Sequence, residues 1–435
     1  MNKWRELYNA KLSTSEEIAG LIESNTICVS PIGAGEAWAI PAAVAKRAKE
    51  NDLSGIVHWS LLSIVNKDLW NDEELDGKFN NATLYCGTNE VRKAINEKRA
   101  DFMPSFYYQI PRSIDEFVKP DVFYAMVSPM DEHGYFSFGT SISNAITMKK
   151  AAKRIYLEVN PNMPRTHGNS FIHITEADAL CHVNNILPEL KSSYISKNEM
   201  IIGNYIAELV PNGAVIQLGI GGIPNAAAHA LSDKSDLGIH SELFTESMVD
   251  LLEQGVVTNR RKNIHEGKSI ATFALGTKKM YEYLNDNVGI EFYPVDYVNN
   301  PNVIGMNDNL ISINSCIEVD LFGQVCAETL GTKHYSGVGG QVDFVRGACL
   351  SKGGKSIIAI ESTAKKGTTS KIKPILTPGS VVTTSRNEVD YIVTEYGAAR
   401  LKGKTIGERA KALISIAHPD FREMLKFEAK KMNLI

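Results

Sequence analysis

Glu242 lies in Gly238-Ile239-His240-Ser241-Glu242-Leu243, about twenty residues beyond the glycine loop Gln217-Leu218-Gly219-Ile220-Gly221-Gly222-Ile223-Pro224. A carboxylate delivered near a loop of bare backbone amides has the parts of an acyl-transfer site. The carboxylate attacks a thioester or anhydride, and the amides hold the oxyanion that forms. Gly219, Gly221 and Gly222 let the backbone approach a ligand closely and expose N–H groups to it. A tight strand-to-helix turn by itself would explain two of the three. Pro224 occupies the third glycine position of a GxGxxG pattern, which disfavours a dinucleotide.

A second glycine cluster, Tyr335-Ser336-Gly337-Val338-Gly339-Gly340-Gln341-Val342-Asp343-Phe344, suggests either another close backbone approach or a plain hairpin turn. Two lysine-rich loops follow, Ser351-Lys352-Gly353-Gly354-Lys355-Ser356 and Ala364-Lys365-Lys366-Gly367. The first imitates the end of a P-loop, but Cys349 stands where its leading glycine belongs. Lysines in either loop could screen phosphates or simply be solvated. The chain has no GxSxG elbow for a serine esterase and no HExxH or similar spacing for a catalytic metal. His240 orients Glu242 or packs beneath it.

These residues are positioned by short β-branched runs alternating with amphipathic helices, the pattern of an α/β protein with largely parallel sheets. Strands are expected at 26–30, 56–60, 122–127, 154–159, 214–217, 289–293, 356–360 and 390–394. The segment 237–241 is expected as the strand that delivers Glu242. Ligands of open α/β sheets bind outside the carboxyl ends of the strands, so the glycine loop and Glu242 would open into one crevice. Ser13 and Glu16 are spaced as a capping box ahead of Ile18. The two halves resemble each other: Ile27–Ser30, Gly33-Ala34-Gly35, Pro41–Ala45 and Leu53–His58 run parallel to Ala214–Gln217, Gly219–Gly222, Pro224–Ala228 and Asp236–His240. Where the second copy has Ser241-Glu242, the first has Trp59-Ser60.

At 435 residues the chain suggests two domains. They are expected at 1–187 and 199–435, joined by a polar linker at 188–198. A formal net charge of −4 with scattered Lys and Arg argues against a nucleic-acid surface. Cys28, Cys86, Cys181, Cys316, Cys326 and Cys349 show no metal-ligand spacing and read as reduced thiols. No signal peptide is evident and no apolar run reaches the roughly 18 residues needed to span a bilayer. A soluble cytoplasmic protein is expected, with a homodimer or higher homo-oligomer as the default state.

The stretch Gln217–Glu242, Asn314–Gln324, Gly337–Phe344 and Ile360-Glu361-Ser362-Thr363 resembles the class I CoA-transferases. Met163–Thr166 with Ser170–His173 belongs to the same pattern. More narrowly, the chain resembles the acetyl-CoA hydrolase/transferase group that contains 4-hydroxybutyrate and butyryl-CoA:acetate CoA-transferases. The resemblance implies two similar open α/β domains with mainly parallel sheets and an active site at the domain interface. It implies that Glu242 is the catalytic residue that forms a glutamyl-CoA thioester. It assigns coenzyme A contacts to Gly219, Ile220, Gly221, Gly222 and Ile223, and also to Ile317, Gly337, Gly339, Gly340 and one of Lys365 and Lys366. The substrates implied are an acyl-CoA and a short carboxylic acid, with no permanently bound cofactor and no metal. Acetate, butyrate, 4-hydroxybutyrate, succinate and itaconate all fit as acids. Hydrolysis of acetyl-CoA is the alternative activity, and non-catalytic acyl-CoA sensing is a second. The sequence departs from the family pattern at Ala37-Trp38 after Glu36, and at His167.

Overall fold

The structure, a computed structural model, describes residues 3–190 and 194–435. Residues 191–193 of the expected linker lie outside the described residues. The chain divides into two compact units, Met1–Leu190 with Ile270–Val298, and Lys191–Ser269 with Asn299–Ile435.

The first unit opens with α1 (Lys3–Lys11), α2 (Ser15–Gly20) and α3 (Ala39–Lys49). The capping box sits one residue later than expected. Thr14 accepts from the Glu17 amide and Glu17 from the Thr14 amide. Both Ser13/Glu16 and Thr14/Glu17 have the required spacing, and the turn that brings Ile18 and Ala19 into the core selects the second pair. The sheet comprises β1 (Ile27–Val29), β2 (Ile56–Ser60), β3 (Phe79–Thr83), β4 (Asp101–Phe102), β5 (Val122–Val127), β6 (Arg154–Val159) and β7 (Ala179–His182), in the order β7-β6-β5-β1-β2-β3-β4. Every pairing is parallel. Val122–Val127 is buried along its whole length, which explains its unbroken apolar run.

Ile270–Val298 falls inside the expected continuous C-terminal domain, yet it groups with this first unit. Backbone bonds hold it there: Ala274 donates to Thr140 at 2.8 Å and Asn169 donates to the Phe292 carbonyl at 2.9 Å. The segment Ile290–Phe292 pairs with His167–Gly168. Gly168 has φ +95, and a Cβ there would strike the Phe292 backbone, so glycine permits the approach.

The second unit contains α4 (Lys197–Leu209), α5 (Gly222–Ala230) and α6 (Gln341–Leu350). Its sheet comprises β8 (Val215–Leu218), β9 (Gly238–Ile239), β10 (Leu310–Ser315), β11 (Lys355–Ala359), β12 (Tyr391–Thr394) and β13 (Gly397–Arg400), in the order β9-β8-β10-β11-β12-β13. All pairs are parallel except β12–β13. In both sheets the first strand lies between the second strand and the strand on which the chain returns. Pro41 and Pro224 each occupy the third position of the helix that follows, where the missing N–H removes no helical bond.

Each unit has its own core. Ile18, Val44, Ile56 and Tyr124 are central in the first, and Val319, Ile358, Ile392 and Leu413 in the second. Among the described residues no helix is long and apolar enough to cross a membrane. All six cysteines are free.

Candidate active site

The order of the second sheet reverses at β8, so the carboxyl ends of β8 and β10 flank a topological switch point, the usual ligand position in open α/β sheets. The glycine loop leaves β8 there. Gly221 has φ +120, which a side chain would oppose. A Cβ on Gly222 would strike the Glu199 carboxylate of α4, so this glycine serves helix packing. Gly219 meets neither constraint, since a Cβ there would come no nearer than 3.9 Å to the Pro224 ring and 4.0 Å to the Ile313 carbonyl. Ile220 and Gly221 are exposed, whereas Ile223 buries its side chain in the first turn of α5. Beneath the loop, Gln217 accepts hydrogen bonds from Ser312 at 2.9 Å and Asn314 at 3.2 Å, tying the ends of β8 and β10 together.

Glu242 follows β9, which is shorter than the expected 237–241. The edge of that strand is satisfied by side chains rather than by another strand. Asn259 Oδ1 accepts from the Ile239 amide at 2.9 Å, and the buried Lys262 Nζ donates to the Ile239 carbonyl at 2.8 Å. Gly238 leaves room for the Lys262 stem. Ser241 donates to the Leu218 carbonyl at 3.4 Å, joining the residue before Glu242 to the start of the glycine loop. His240 is buried against Phe344.

Glu242 is half-buried. Its Oε2 accepts from Asn299 Nδ2 at 3.1 Å, and the Gly340 amide also donates to the carboxylate. Burial pushes the carboxyl up to about 7, against the opposing effect of those two donors. A Cβ on Gly340 would collide with both Glu242 and Asn299. The second glycine cluster is therefore a lead-in to α6, with Gly340 as its N-cap, rather than a hairpin. Gly337 is buried, and Gly339 has φ +54. Neither Asn299 nor Asp343, which bond each other at 3.2 Å, was singled out by sequence reasoning. Asp343 lies in the second glycine cluster, but an Asn after Tyr297-Val298 carries no local mark of its partner.

The remaining implicated residues spread over the same unit. Ile317 is partly exposed after β10, with its amide on the Cys326 carbonyl at 2.8 Å. Lys365 and Lys366 occupy the turn between Thr363–Ala364 and Thr369–Ser370, both exposed and both with left-handed backbone. Glu395 anchors that hairpin by accepting from the amide and hydroxyl of Ser362. Lys352 and Lys355 are at the amino end of β11, opposite the glycine loop, and Lys355 donates to the Leu209 carbonyl at the end of α4. In the first unit, His167 pairs with Asp286 at 3.0 Å. Ala37 is buried, and the Trp38 amide bonds Glu158 at 2.8 Å. Among the described residues no group of three or more His, Cys, Asp or Glu could hold a metal ion.

A glycine-lined carboxylate at a sheet switch point fits a known family. The acetyl-CoA hydrolase/transferase N-terminal domain matches residues 1–203, and the corresponding C-terminal domain matches residues 276–429. The 4-hydroxybutyrate coenzyme A transferase of Clostridium kluyveri is 47% identical over 431 residues, covering 99% of each chain. The chain belongs to the acetyl-CoA hydrolase/transferase family. Within that family, the succinyl-CoA:cyclohexane-1-carboxylate CoA transferase of Geobacter metallireducens is 45% identical, covering 98% of this chain and 97% of the other. The crystal structure of RipA from Yersinia pestis superposes with a TM-score of 0.96 at 41% identity, covering 100% of both chains. The family's N-terminal domain ends at residue 203, close to the Leu190/Lys191 division of the units.

Proposed function

We propose that this chain transfers coenzyme A between a short-chain acyl-CoA and a free carboxylate, with Glu242 as nucleophile. The observation that carries the reading is the partly accessible Glu242 carboxylate, held by one side-chain amide and one backbone amide beside an open glycine loop.

In the first step a Glu242 oxygen bonds to the thioester carbonyl carbon, the C–S bond breaks, and CoA leaves as thiolate. The thiolate then bonds to the Glu242 carbonyl carbon and the first acid departs as its carboxylate. Glu242 now carries CoA as a thioester, and a second acid reverses both steps. One thioester replaces another, so ATP is not required. During attack on the glutamyl carbonyl, negative charge develops on an oxygen facing the Asn299 and Gly340 donors, each worth ~3 kcal/mol to the transition state. Amides of Gly219–Gly222 would receive the oxyanion of the incoming acyl group. Ile317 and the Lys365–Lys366 hairpin would contact CoA, whose remote binding energy helps drive the attack.

The acids are short: 4-hydroxybutyrate, butyrate or succinate, with acetate or acetyl-CoA as partner. A pocket separates acids differing by one methylene by only about 1–3 kcal/mol, so a panel of carboxylates assayed against one acyl-CoA decides among them. A cytoplasmic location and a homodimeric state belong to the same proposal, twofold dimers being the commonest assembly. Intact-mass analysis after adding acyl-CoA alone should reveal a CoA adduct on the native enzyme and none on Glu242→Ala. Transfer by that variant should fall by about 10⁴-fold or more, as in other enzymes that lose a covalent nucleophile. Full transfer by Glu242→Ala would sink the reading. Stoichiometric release of free CoA without a second acid would make the chain a hydrolase.

A further inference from the structure

We propose that Asp343 is a positioning residue for this reaction, fixing the Asn299 carboxamide so that an N–H faces Glu242. The inference rests on the reading of Glu242 as nucleophile.

Asn299 Nδ2 is 3.1 Å from Glu242 Oε2 and 3.2 Å from Asp343 Oδ2. A carboxamide carries both its donors on nitrogen and only lone pairs on oxygen. Two carboxylate oxygens converge on a single Asn299 atom, and that atom must therefore be the nitrogen. The flipped amide would set Oδ1 against both acceptors.

Glu242 cannot maintain this orientation through the cycle by itself. When it becomes an anhydride or thioester it loses its charge, and its carbonyl oxygen is a weaker acceptor. That is the stage at which the Asn299 donor is needed for the next attack. Asp343 takes no part in bond making and keeps its oxygens as acceptors throughout. It is fully buried, as is Asn299, so water does not compete for the bond. It is the third residue of α6, and the helix N-terminus favours a carboxylate there. The turn that presents the Gly340 amide thus also holds the group that orients the second donor.

A carboxylate in the first turn of a helix also stabilises the helix, and a double-mutant cycle separates the two roles. Steady-state transfer and single-turnover adduct formation would be measured for Asp343→Ala, Asn299→Ala, the double variant and Asp343→Asn, with the melting temperature of each. We expect Asp343→Ala to lower kcat by about 10²-fold with the acyl-CoA KM changed by less than about twofold. In the Asn299→Ala background the same change should cost nothing further. Asp343→Asn, whose Oδ1 can still accept from Asn299, should recover most of the loss. Multiplying effects in the double variant, or an Asp343→Asn enzyme as slow as Asp343→Ala, would overturn the proposal. Should Asp343→Ala not fold, Asp343→Ser replaces it in the cycle, its hydroxyl being too short to reach Nδ2. A native enzyme that forms no CoA adduct removes the nucleophile reading itself, whereas adduct formation with a multiplicative cycle removes only the role of Asp343.

Discussion

Both units carry strand, glycine loop, helix and strand, yet their carboxylates are held in opposite ways. In the first, Glu36 directly follows the loop Gly33–Gly35 and is fully buried, its Oε2 accepting from the Ile64 and Val65 amides at 2.9 and 3.1 Å. Glu158, equally buried, caps the start of α3 through the Trp38 and Ile40 amides at 2.8 and 2.7 Å. That glycine loop is also filled from within, because Ser141 Oγ accepts the Gly35 amide at 2.9 Å and occupies the space a Cβ would need. In the second unit no comparable side chain among the described residues fills the loop at Gly219 or Gly221, and Glu242 stays half-buried between two donors.

Burial raises all three carboxyls to about 7. A shifted acidity therefore does not single out the reactive group. Access does: Glu36 and Glu158 are fully buried and brace backbone, whereas Glu242 stays partly accessible.

The contrast can be broken most severely at Gly340. Gly340→Ala places a methyl group on the Glu242 carboxylate, and transfer should fall by about 10²–10³-fold, the range for losing an oxyanion donor. Retention of CoA binding, measured by calorimetry, would show that the loss is in the chemistry. Gly35→Ala would instead press on Ser141 in the first unit and lower the melting temperature.

A milder probe is pH. If Glu242 attacks as the carboxylate, the rate of adduct formation should rise with pH through about 7, losing about tenfold for each unit below it. A limb near the ordinary glutamate value would mean that burial does not govern the nucleophile.

The smallest effect on activity is expected at Glu36. Its folded acidity lies above the unfolded value of about 4.5, so its contribution to stability is fully present below that pH and is lost as pH rises through about 7. The loss is at most ~3 kcal/mol for such a shift. Glu36→Gln should flatten the decline in denaturant stability between pH 5 and 8 while leaving CoA adduct formation intact. An unchanged pH dependence would assign the decline elsewhere.

Much of this contrast was legible in the sequence because it rests on local signals. The runs Val122–Val127 and Arg154–Val159 are strands with the expected bounds, and the paired prolines mark the same helical position in each unit. Glu242 and its glycine loop carry their own chemistry, so type and spacing sufficed to suggest them. What escaped depends on distant partners. Asn299 and Asp343 acquire meaning only when the chain brings them to Glu242. The outer edge of the strand before Glu242 is bonded by the Asn259 and Lys262 side chains, which come from a later loop. The affiliation of Ile270–Val298 depends on backbone bonds to residues more than a hundred positions earlier.

That affiliation has a consequence for synthesis on the ribosome. The chain passes from one unit to the other at Leu190/Lys191, again at Ser269/Ile270, and again at Val298/Asn299. The first unit cannot be completed when its first stretch emerges, because the strand Ile290–Phe292 is still to be made. At 5–20 residues per second, translation of Lys191–Ser269 alone delays completion by roughly 4–16 s. Nascent protein must carry an unfinished first unit through that interval, and a fragment cut at Leu190 would stay in that state.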